Sequence, residues 1–389
     1  MVERTPQVFL IDGKRTPYGK FGGSLKDISP VDLACKAAAP ILEQYKIKNI
    51  SHVILGNVLP STTDTLYGAR HIGLKLGLDQ SIPAYNVNRL CGSGIQSIWE
   101  ARNQFLLGEG DFILAGGSEN MSLAPHWVYG TRFGTKFGPF KTVDSLMDSL
   151  TDQYAGCPMA ITAETLAKEY SITREQCDDF AFNSQKKAIK AWEDGFMAEE
   201  VVSIELKRGE CSRDEHIRFD VDREGMSKLP PTFVKDGVVT AANASGIVDG
   251  ASMALLSSAA GAEQLGVEPL AEIVDFAVCG VDPKRMGIGP VDAIKLLLEK
   301  QKMKIDQIDL FEINEAFAPQ VLACAKALEI DQSKLNLWGG AVSIGHPLGA
   351  SGTRITVTLA RQMKAQGAKF GIASACIGGG QGIAVLLKR

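Results

Sequence analysis

The sequence has little of what several classes of protein need. Its 389 residues contain no apolar run of the roughly 18 residues that a membrane-spanning helix requires. The formal net charge is −4, so no general basic field exists that would hold nucleic acid or an anionic membrane by charge alone. An anionic ligand would need a local basic patch. We therefore expect no nucleic-acid partner and no membrane span.

Cysteine and histidine are present, but their spacing does not favour a metal site. The eight cysteines include no Cys-x-x-Cys pair, and the five histidines include no His-x-x-x-His pair. We expect reduced thiols that mostly pack as small hydrophobes, and neither a metal nor a bound cofactor. The first residues are too charged for a secretory signal, which predicts a cytoplasmic protein, with a compartment like the mitochondrial matrix as the alternative.

Glycine, by contrast, is abundant, and strand-like and helix-like segments alternate. "VFLI", "HVILGNVL" and "DFILAGGSEN" are typical of strands, and "VDLACKAAAPILEQY" of a helix. The alternation resumes from residue 269. This pattern predicts an α/β fold with mainly parallel strands.

The middle of the chain differs in character. Residues 119–249 begin with an aromatic, basic, glycine-rich stretch, followed by two amphipathic helices and a charged, loop-like segment. A weak internal sequence similarity relates "NVNRLCGSG" to "NLWGGAVSIGHPLGASG", which indicates two similar α/β halves. The predicted organisation is a half at 1–268, interrupted by an insertion at 119–249, and a half at 269–389.

Three residues stand in glycine-rich turns that suit chemistry. Cys91 lies between a predicted strand and helix, where backbone N–H groups favour a thiolate, and Gly92 and Gly94 would let the chain turn sharply. It is either a nucleophile or an inert cysteine in a turn. His346 in "SIGHPLGASG" is either its base or a loop histidine satisfied by its neighbours. Cys376 ends a strand before "IGGGQG", where it could move protons or pair in a cystine.

Asn314 begins "NEAFAPQ". Asparagine can fix a water molecule or donate to an oxyanion, and Glu315 could serve instead as a general base. By spacing alone the stretch is equally well the start of a helix.

Taken together, these segments resemble the thiolase family along essentially the whole chain. The matching stretches, in order, are "NRLCGSG", "GGSENMS", "TAANASGIVDGA", "MGIGP", "NEAFA", "GGAVSIGHPLGASG" and "CIGGGQG". Each is a weak motif alone, but all of them in this order are specific. The resemblance implies a thiolase-like fold with layers α-β-α-β-α, an inserted loop domain, and an acyltransferase that assembles as a homodimer or homotetramer.

The resemblance also implies a catalytic set. Cys91 would accept the acyl group after activation by His346, and Cys376 would remove or return a proton at the α-carbon of the second substrate. One oxyanion site would form at His346 and a water held by Asn314, the other at the backbone N–H groups of Cys91 and Gly378. The implied reaction is the reversible Claisen condensation of acetyl-CoA with an acyl-CoA.

Coenzyme A enters this interpretation as a substrate. The positions that the resemblance places along the nucleotide, the pantetheine and the acyl group are Arg218, Leu229, Phe233, Ser245, Ala316, Phe317, Met159 and Met286. Pro158-Met159 looks more like the mitochondrial-type 3-oxoacyl-CoA thiolases of fatty-acid degradation, since acetoacetyl-CoA-specific members often have His-Met there. Ala242 stands where the family usually has glycine. We expect short- to medium-chain substrates.

Three other functions compete with this one. A decarboxylating condensing enzyme acting on acyl-carrier-protein substrates would use a Cys-His-His or Cys-His-Asn set, which leaves Cys376 and "CIGGGQG" unexplained. A non-catalytic acyl-CoA-binding relative need not keep Cys91, His346 and Cys376 together. An unrelated cysteine hydrolase would not need Cys376.

Overall fold

The computed structural model describes residues 6–135 and 137–389 of the chain. Within them the helices are α1 (Pro30–Tyr45), α2 (Gly68–Lys75), α3 (Ser93–Leu106), α4 (Ser145–Ser149), α5 (Met159–Glu169), α6 (Arg174–Glu193), α7 (Arg223–Ser227), α8 (Ala259–Leu265), α9 (Gly289–Gln301), α10 (Ala318–Leu328), α11 (Ala341–Ile344) and α12 (Leu348–Gln366). The strands of the same residues are β1 (Val8–Arg15), β2 (Gly19–Lys20), β3 (His52–Gly56), β4 (Ala84–Val87), β5 (Phe112–Asn120), β6 (His126–Val128), β7 (Thr142–Asp144), β8 (Thr151–Asp152), β9 (Cys157–Pro158), β10 (Ile204–Glu205), β11 (Glu210–Cys211), β12 (Val248–Ser258), β13 (Ala271–Gly280), β14 (Leu310–Ile313), β15 (Phe370–Ile377) and β16 (Gln381–Lys388).

The order of strand pairing repeats in two halves of the chain. In the first half β1–β12 and β12–β5 pair antiparallel, and β5–β3 and β3–β4 pair parallel. In the second half β13–β16 and β16–β15 pair antiparallel and β15–β14 pairs parallel, and a parallel bridge joins Phe311 to Leu335. The two halves meet through a short antiparallel contact between β1 and β13. The prediction of two similar α/β halves is confirmed.

The prediction of mainly parallel strands is wrong. Only β3–β4, β3–β5 and β14–β15 pair parallel among the named strands of the large sheet in residues 6–135 and 137–389. In each half the last strand reverses direction and pairs antiparallel on both sides, and antiparallel neighbours can be joined by a short turn without a crossover helix. The alternation of strand and helix signals in the sequence does not indicate that the last strand of each half runs in the opposite direction.

Three apolar cores separate the layers of the fold. An outer core of the first half packs α1 and α2 against one sheet face, and an outer core of the second half packs α9 and α10. A third core joins α3 and α12 to strands of both halves. Helix α12 is buried from Leu348 through Met363, as expected of a helix enclosed on all sides. The order of layers is therefore α-β-α-β-α.

The two central helices approach each other closely. A Cβ atom added at Gly94 of α3 would lie 2.4 Å from the backbone nitrogen of Thr353, and one at Gly352 of α12 would lie 2.4 Å from that of Ile95. Only glycine permits this backbone contact. The indole ring of Trp99 on α3 also stacks on Phe276 of β13, with ring centroids 5.3 Å apart. The N-terminal parts of α3 and α12 are thus held side by side.

The insertion predicted at 119–249 corresponds to the connection from β5 to β12. Both amphipathic helices form, as α5 and α6. The predicted capping box of α6 is present, with the Gln176 N–H donating to Thr173 Oγ1 at 3.2 Å and the Thr173 N–H donating to Gln176 Oε1 at 2.9 Å. In the part of the chain that the structure describes, no helix has the length and apolar character to cross a membrane.

Candidate active site

Cys91 lies in a short 3₁₀ turn between β4 and α3. The residue before it, Leu90, has a φ of 46°, in the left-handed region that non-glycine residues seldom occupy. The sharp turn therefore falls at Leu90 and not at Gly92, whose φ is −86°, so the conformational role predicted for that glycine is wrong. Gly92 is needed for space instead, because a Cβ there would lie 2.7 Å from the side chain of Ile377.

The Cys91 thiol is half-buried in an apolar cluster with Leu59, Met121 and Leu348. Burial raises the pKa of this thiol to about 11, and the nearby backbone N–H of Gly378 acts in the opposite direction and lowers the pKa. The helix start predicted to favour a thiolate is thus outweighed by desolvation. The resting thiol keeps its proton and needs a base before it can attack.

Cys376 is the penultimate residue of β15 and stands beside the three-residue turn to β16. Its side chain is fully buried against Met286 and Ala316. Burial raises the pKa of this thiol well above its ordinary value, and the neighbouring Cys91 sulfur raises it further. The two sulfurs are therefore within electrostatic reach of each other, although they come from different halves.

The turn after Cys376 forms as the glycine run predicts. Gly379 and Gly380 have φ values of 82° and 80°, which glycine adopts at no steric cost. At Gly378 an added Cβ would lie 3.0 Å from Leu90 Cδ1 and 3.7 Å from Met159 Sδ. A side chain at 378 would thus press on the residue that precedes Cys91.

His346 follows α11, and its ring has a definite tautomer. The Ser351 hydroxyl donates to the Pro347 carbonyl at 3.0 Å, so its oxygen is left to accept the Nδ1–H of His346 at 2.5 Å. Nε2 is then unprotonated and lies 3.4 Å from Asn314 Nδ2. Burial, helped by the charge of Arg354, lowers the pKa of the imidazole to about 3. A neutral ring with a free Nε2 is the form that can accept a proton.

Asn314 stands just after β14, beside His346. Its backbone N–H donates to the carbonyl of Ser374 at 2.8 Å, which fixes it against β15. Its Oδ1 is buried without a hydrogen-bond partner among the described residues. Glu315 is not placed as a base, because its carboxylate accepts from the Ser184 hydroxyl, the Asn336 amide and the Val342 N–H. Within "NEAFA", Asn314 therefore lies at the candidate site, whereas the Glu315 carboxylate has a structural role.

A largely apolar cavity of about 230 Å³ reaches His346. Its lining residues Leu348 and Met159 also belong to the clusters that hold Cys91 and Cys376. Of the residues predicted to contact substrate, it is lined by Met159, Phe233, Ser245 and Phe317, together with His346. Met286 and Ala316 pack beside Cys376 behind the cavity. The structure therefore brings the predicted acyl and pantetheine positions to one place, together with Phe233, which was predicted to lie near the nucleotide.

Two predicted contacts lie elsewhere. Arg218 is exposed and its backbone N–H donates to Gln185 Oε1, while Leu229 is half-buried in a cluster with Met226 and Ala242. Neither lines the cavity, and their roles stay predictions.

Several residues of the site were missed by the sequence reasoning. Met121, Met147, Leu150 and Leu348 line the cavity, and Ser351 sets the tautomer of His346. Met121, Leu348 and Ser351 lie inside quoted motifs, which is the only signal that marked them. All eight cysteines are free thiols, and among residues 6–135 and 137–389 no cluster of His, Cys, Asp and Glu could hold a metal ion.

Two family models match the chain. The model described as "Thiolase, N-terminal domain" matches residues 8–260, and "Thiolase, C-terminal domain" matches residues 267–389.

Curated and solved relatives agree with these matches. The chain is 46% identical over 388 residues to the mitochondrial 3-ketoacyl-CoA thiolase of Homo sapiens, covering 98% of each chain. It is 44% identical over 391 residues to a probable acetyl-CoA acyltransferase of Staphylococcus aureus (strain MRSA252), covering 98% and 99%. The crystal structure of the human mitochondrial enzyme in complex with CoA matches with a TM-score of 0.96, over 99% of this chain and 98% of that one at 46% identity. The chain therefore belongs to the thiolase family.

Proposed function

We propose that this chain catalyses the reversible thiolase reaction, in which a 3-oxoacyl-CoA and coenzyme A exchange with acetyl-CoA and a shortened acyl-CoA. The observation that carries the proposal is the placement of two thiols from different halves, Cys91 and Cys376, within electrostatic reach of each other, together with a neutral His346 that lines an apolar cavity. A decarboxylating condensing enzyme would leave the second thiol without a role. A non-catalytic binder would need neither thiol.

In the first step, Nε2 of His346 takes the proton of the Cys91 thiol as the sulfur attacks. In thiolysis the thiolate attacks the 3-oxo carbon, and the bond between the α-carbon and that carbon breaks. An acyl-cysteine forms on Cys91, and the enolate of acetyl-CoA leaves. The rise in the pKa of Cys91 supports the need for this base, because the resting thiol is neutral.

Cys376 supplies the proton that the leaving enolate needs. Its raised pKa means that the resting thiol is protonated, the form that thiolysis requires. The resulting Cys376 thiolate then takes the proton of incoming coenzyme A, whose sulfur attacks the acyl-cysteine and releases Cys91. In the synthetic direction the same thiolate removes a proton from the α-carbon of acetyl-CoA.

Two groups of donors would stabilise the oxyanions. The backbone N–H of Gly378, already directed at the Cys91 sulfur, and that of Cys91 suit the oxygen on the carbon under attack. The enolate oxygen would face Nε2 of His346 after that nitrogen gains its proton. Asn314, with its unpartnered Oδ1, would hold a water molecule there.

The substrate is assigned to short- and medium-chain 3-oxoacyl-CoA, in fatty-acid degradation. The lining of Met121, Met147, Leu150 and Met159 is apolar and suits an alkyl chain longer than a methyl group. The name of the human relative, 3-ketoacyl-CoA thiolase, agrees with this class. Ser245 and Phe233 at the cavity would meet the pantetheine.

The remaining assignments concern the rest of coenzyme A and the assembly. Arg218, exposed and without an acidic partner within salt-bridge distance among the described residues, suits a phosphate or the adenine face, and Leu229 would lie near it. We assign the domains to 1–268 with its insertion at 119–249, and to 269–389. The assembly is a homodimer or homotetramer, in the cytoplasm or in a compartment like the mitochondrial matrix.

Coenzyme A-dependent thiolysis tests the substrate class. The experiment compares kcat/KM for acetoacetyl-CoA with that for a medium-chain 3-oxoacyl-CoA. We expect equal or better cleavage of the longer chain. A strong preference for acetoacetyl-CoA would make this an acetyl-CoA acetyltransferase, and failure to cleave either with folded protein would overturn the function.

A further inference from the structure

A buried carboxylate joins the two halves beside the site. Glu119 is the penultimate residue of β5, in the "GGSENMS" motif, and has no exposed surface. Its Oε1 accepts from the Asn57 amide at 3.1 Å and from the Leu59 N–H at 2.9 Å. Its Oε2 accepts from the Val58 N–H at 3.1 Å and from the Gly349 N–H at 3.0 Å. The Glu119 carboxylate thus accepts four hydrogen bonds, two at each oxygen, and none of the four donors belongs to a cationic side chain.

The Gly349 hydrogen bond caps a helix of the other half. Helix α12 begins at Leu348, and its N-cap residue, Pro347, makes no side-chain cap. First-turn N–H groups need an acceptor, and an anion there also suits the helix dipole. Glu119 therefore supplies from the first half the cap that α12 lacks in its own sequence.

The contact also lies where the backbones of the halves touch. A Cβ added at Gly349 would lie 2.6 Å from the carbonyl oxygen of Gly56 and 3.0 Å from that of Ser118. His346 precedes this helix start by two residues. Leu348 belongs to the cluster that packs on Cys91. The start of α12 thus fixes His346 relative to a nucleophile carried by the other half.

We propose that Glu119 is a positioning residue for catalysis, whose carboxylate holds the start of α12 against the first half and so keeps His346 in reach of the Cys91 thiol. The proposal rests on the roles proposed above for Cys91 and His346. Glu119 is two residues from Met121 of the cavity but touches no reacting atom; it acts through the helix it caps.

The test is Glu119→Gln. Glutamine offers one oxygen where the carboxylate offers two, so in either orientation two of the four N–H donors face an NH₂ group. We expect kcat and the single-turnover rate of Cys91 acylation to fall about 10- to 100-fold, the effect of losing hydrogen bonds to a charged group. KM for coenzyme A should stay within about twofold, because the cavity residues that would meet it lie on other elements.

Glu200→Gln is the matched control. Glu200 is also buried and also bonds to α12, through the Thr358 hydroxyl at 2.9 Å, but well inside the helix, and its other partner is Arg15 at 2.7 Å. We expect both variants to lower the melting temperature and only Glu119→Gln to lower kcat beyond about twofold. An equal loss of kcat in both would reduce Glu119 to a general stability role and overturn the proposal.

The pH profile gives a second readout. Burial raises the pKa of Glu119 to about 7, against its four donors. The charge of Glu119 raises the pKa of the Cys91 thiol, and no Lys, Arg or His lies within salt-bridge distance of Glu119 in the described ranges. Below that pH the Glu119 carboxyl gains a proton, and its O–H would then face one of the N–H donors, which needs an acceptor. The kcat of the wild type should therefore fall as the pH is lowered. His346, with its pKa lowered to about 3, does not titrate there. This acid limb should be absent from Glu119→Gln.

Two further variants separate the ways in which the proposal can fail. If Glu119→Gln does not fold, Asn57→Ala removes one donor to the same carboxylate, and we expect kcat to fall about threefold; wild-type kcat in that variant overturns the proposal. If Cys91→Ala still forms an acyl-enzyme, the proposed catalytic roles fail whatever Glu119→Gln does. If Cys91→Ala is inactive while folded Glu119→Gln keeps wild-type kcat, only the positioning role is wrong.

Discussion

The two halves of the molecule differ most at one equivalent connection. In the second half, β15 passes to β16 through residues 378–380. In the first half, the equivalent β5 passes to β12 through residues 121–247, which contain α4 to α7 and six short strands. The strand pairings on either side of the two connections are the same.

The two connections contribute different kinds of residue to the candidate site: the short one lies beside the thiols, and the long one lines the cavity. The end of β15 and the short connection place Cys376 and Gly378 near Cys91. The long connection supplies Met159, Phe233 and Ser245 to the cavity. Residues of the short connection and the central helices should therefore govern kcat, and residues of the long connection should govern KM.

Loss of the nucleophile should have the largest effect. Cys91→Ala leaves no sulfur to carry the acyl group, and we expect turnover to fall about 10³-fold or more. Intact-protein mass spectrometry after incubation with acetyl-CoA measures the acyl-enzyme. Acetylation at another residue together with full turnover would contradict the assignment.

Cys376→Ser tests the strand end that leads into the short connection. A hydroxyl is a much weaker acid–base group at neutral pH, so condensation and α-proton exchange should slow about 10²- to 10⁴-fold while Cys91 still acylates. Deuterium exchange into acetyl-CoA measures the proton step. Exchange at the wild-type rate would reject Cys376 as the base.

Gly378→Ala tests the turn itself. The added methyl would lie 3.0 Å from Leu90 Cδ1 and displace the N–H that meets the Cys91 sulfur. We expect kcat to fall about 10²-fold, as for a lost oxyanion donor, with KM for coenzyme A nearly unchanged. Steady-state kinetics with varied coenzyme A separates the two constants. A change confined to KM would contradict the expectation that residues of the short connection govern kcat.

Arg218→Ala tests the long connection and should have the smallest effect. Loss of a phosphate contact should raise the apparent KM for coenzyme A about 3- to 10-fold, with kcat nearly constant, because binding to ground state and transition state is lost equally. Arg218→Lys is the natural companion variant, since lysine keeps the charge but not the planar guanidinium group. A fall in kcat at constant KM is the outcome that argues against this placement.

The hairpin could be predicted from the sequence because its signal is local, and the glycine-rich turns singled out Cys91, His346 and Cys376 as candidates, whose catalytic roles stay predictions. A glycine run between two apolar segments predicts the turn after Cys376, and it forms. The left-handed residue at the nucleophile could not be found, since Leu90 is not a residue type that favours positive φ. Strand direction was missed for a similar reason: periodicity marks a strand but not the way it runs.

The electrostatic state of the site lay beyond sequence reasoning. A helix start near Cys91 predicted a favoured thiolate, but burial within the tertiary structure raises its pKa to about 11. The free Nε2 of His346 depends on the hydroxyl of Ser351, and the cap of α12 on Glu119 from the other half. The contact between Glu119 and Gly349 joins residues that are far apart in the chain. The order of the motifs shows that these residues are present, but it does not show that they are hydrogen-bonded to each other.

Helix α12, enclosed between the sheets of both halves, has a consequence for how the molecule unfolds. Its apolar residues belong to one core with strands of each half, so neither half can bury its inner face when the other is absent. We therefore expect the halves to unfold in a single cooperative transition, with a calorimetric enthalpy equal to the van't Hoff value for one unit. The candidate active site, which lies at the start of that shared helix, would be lost in the same step.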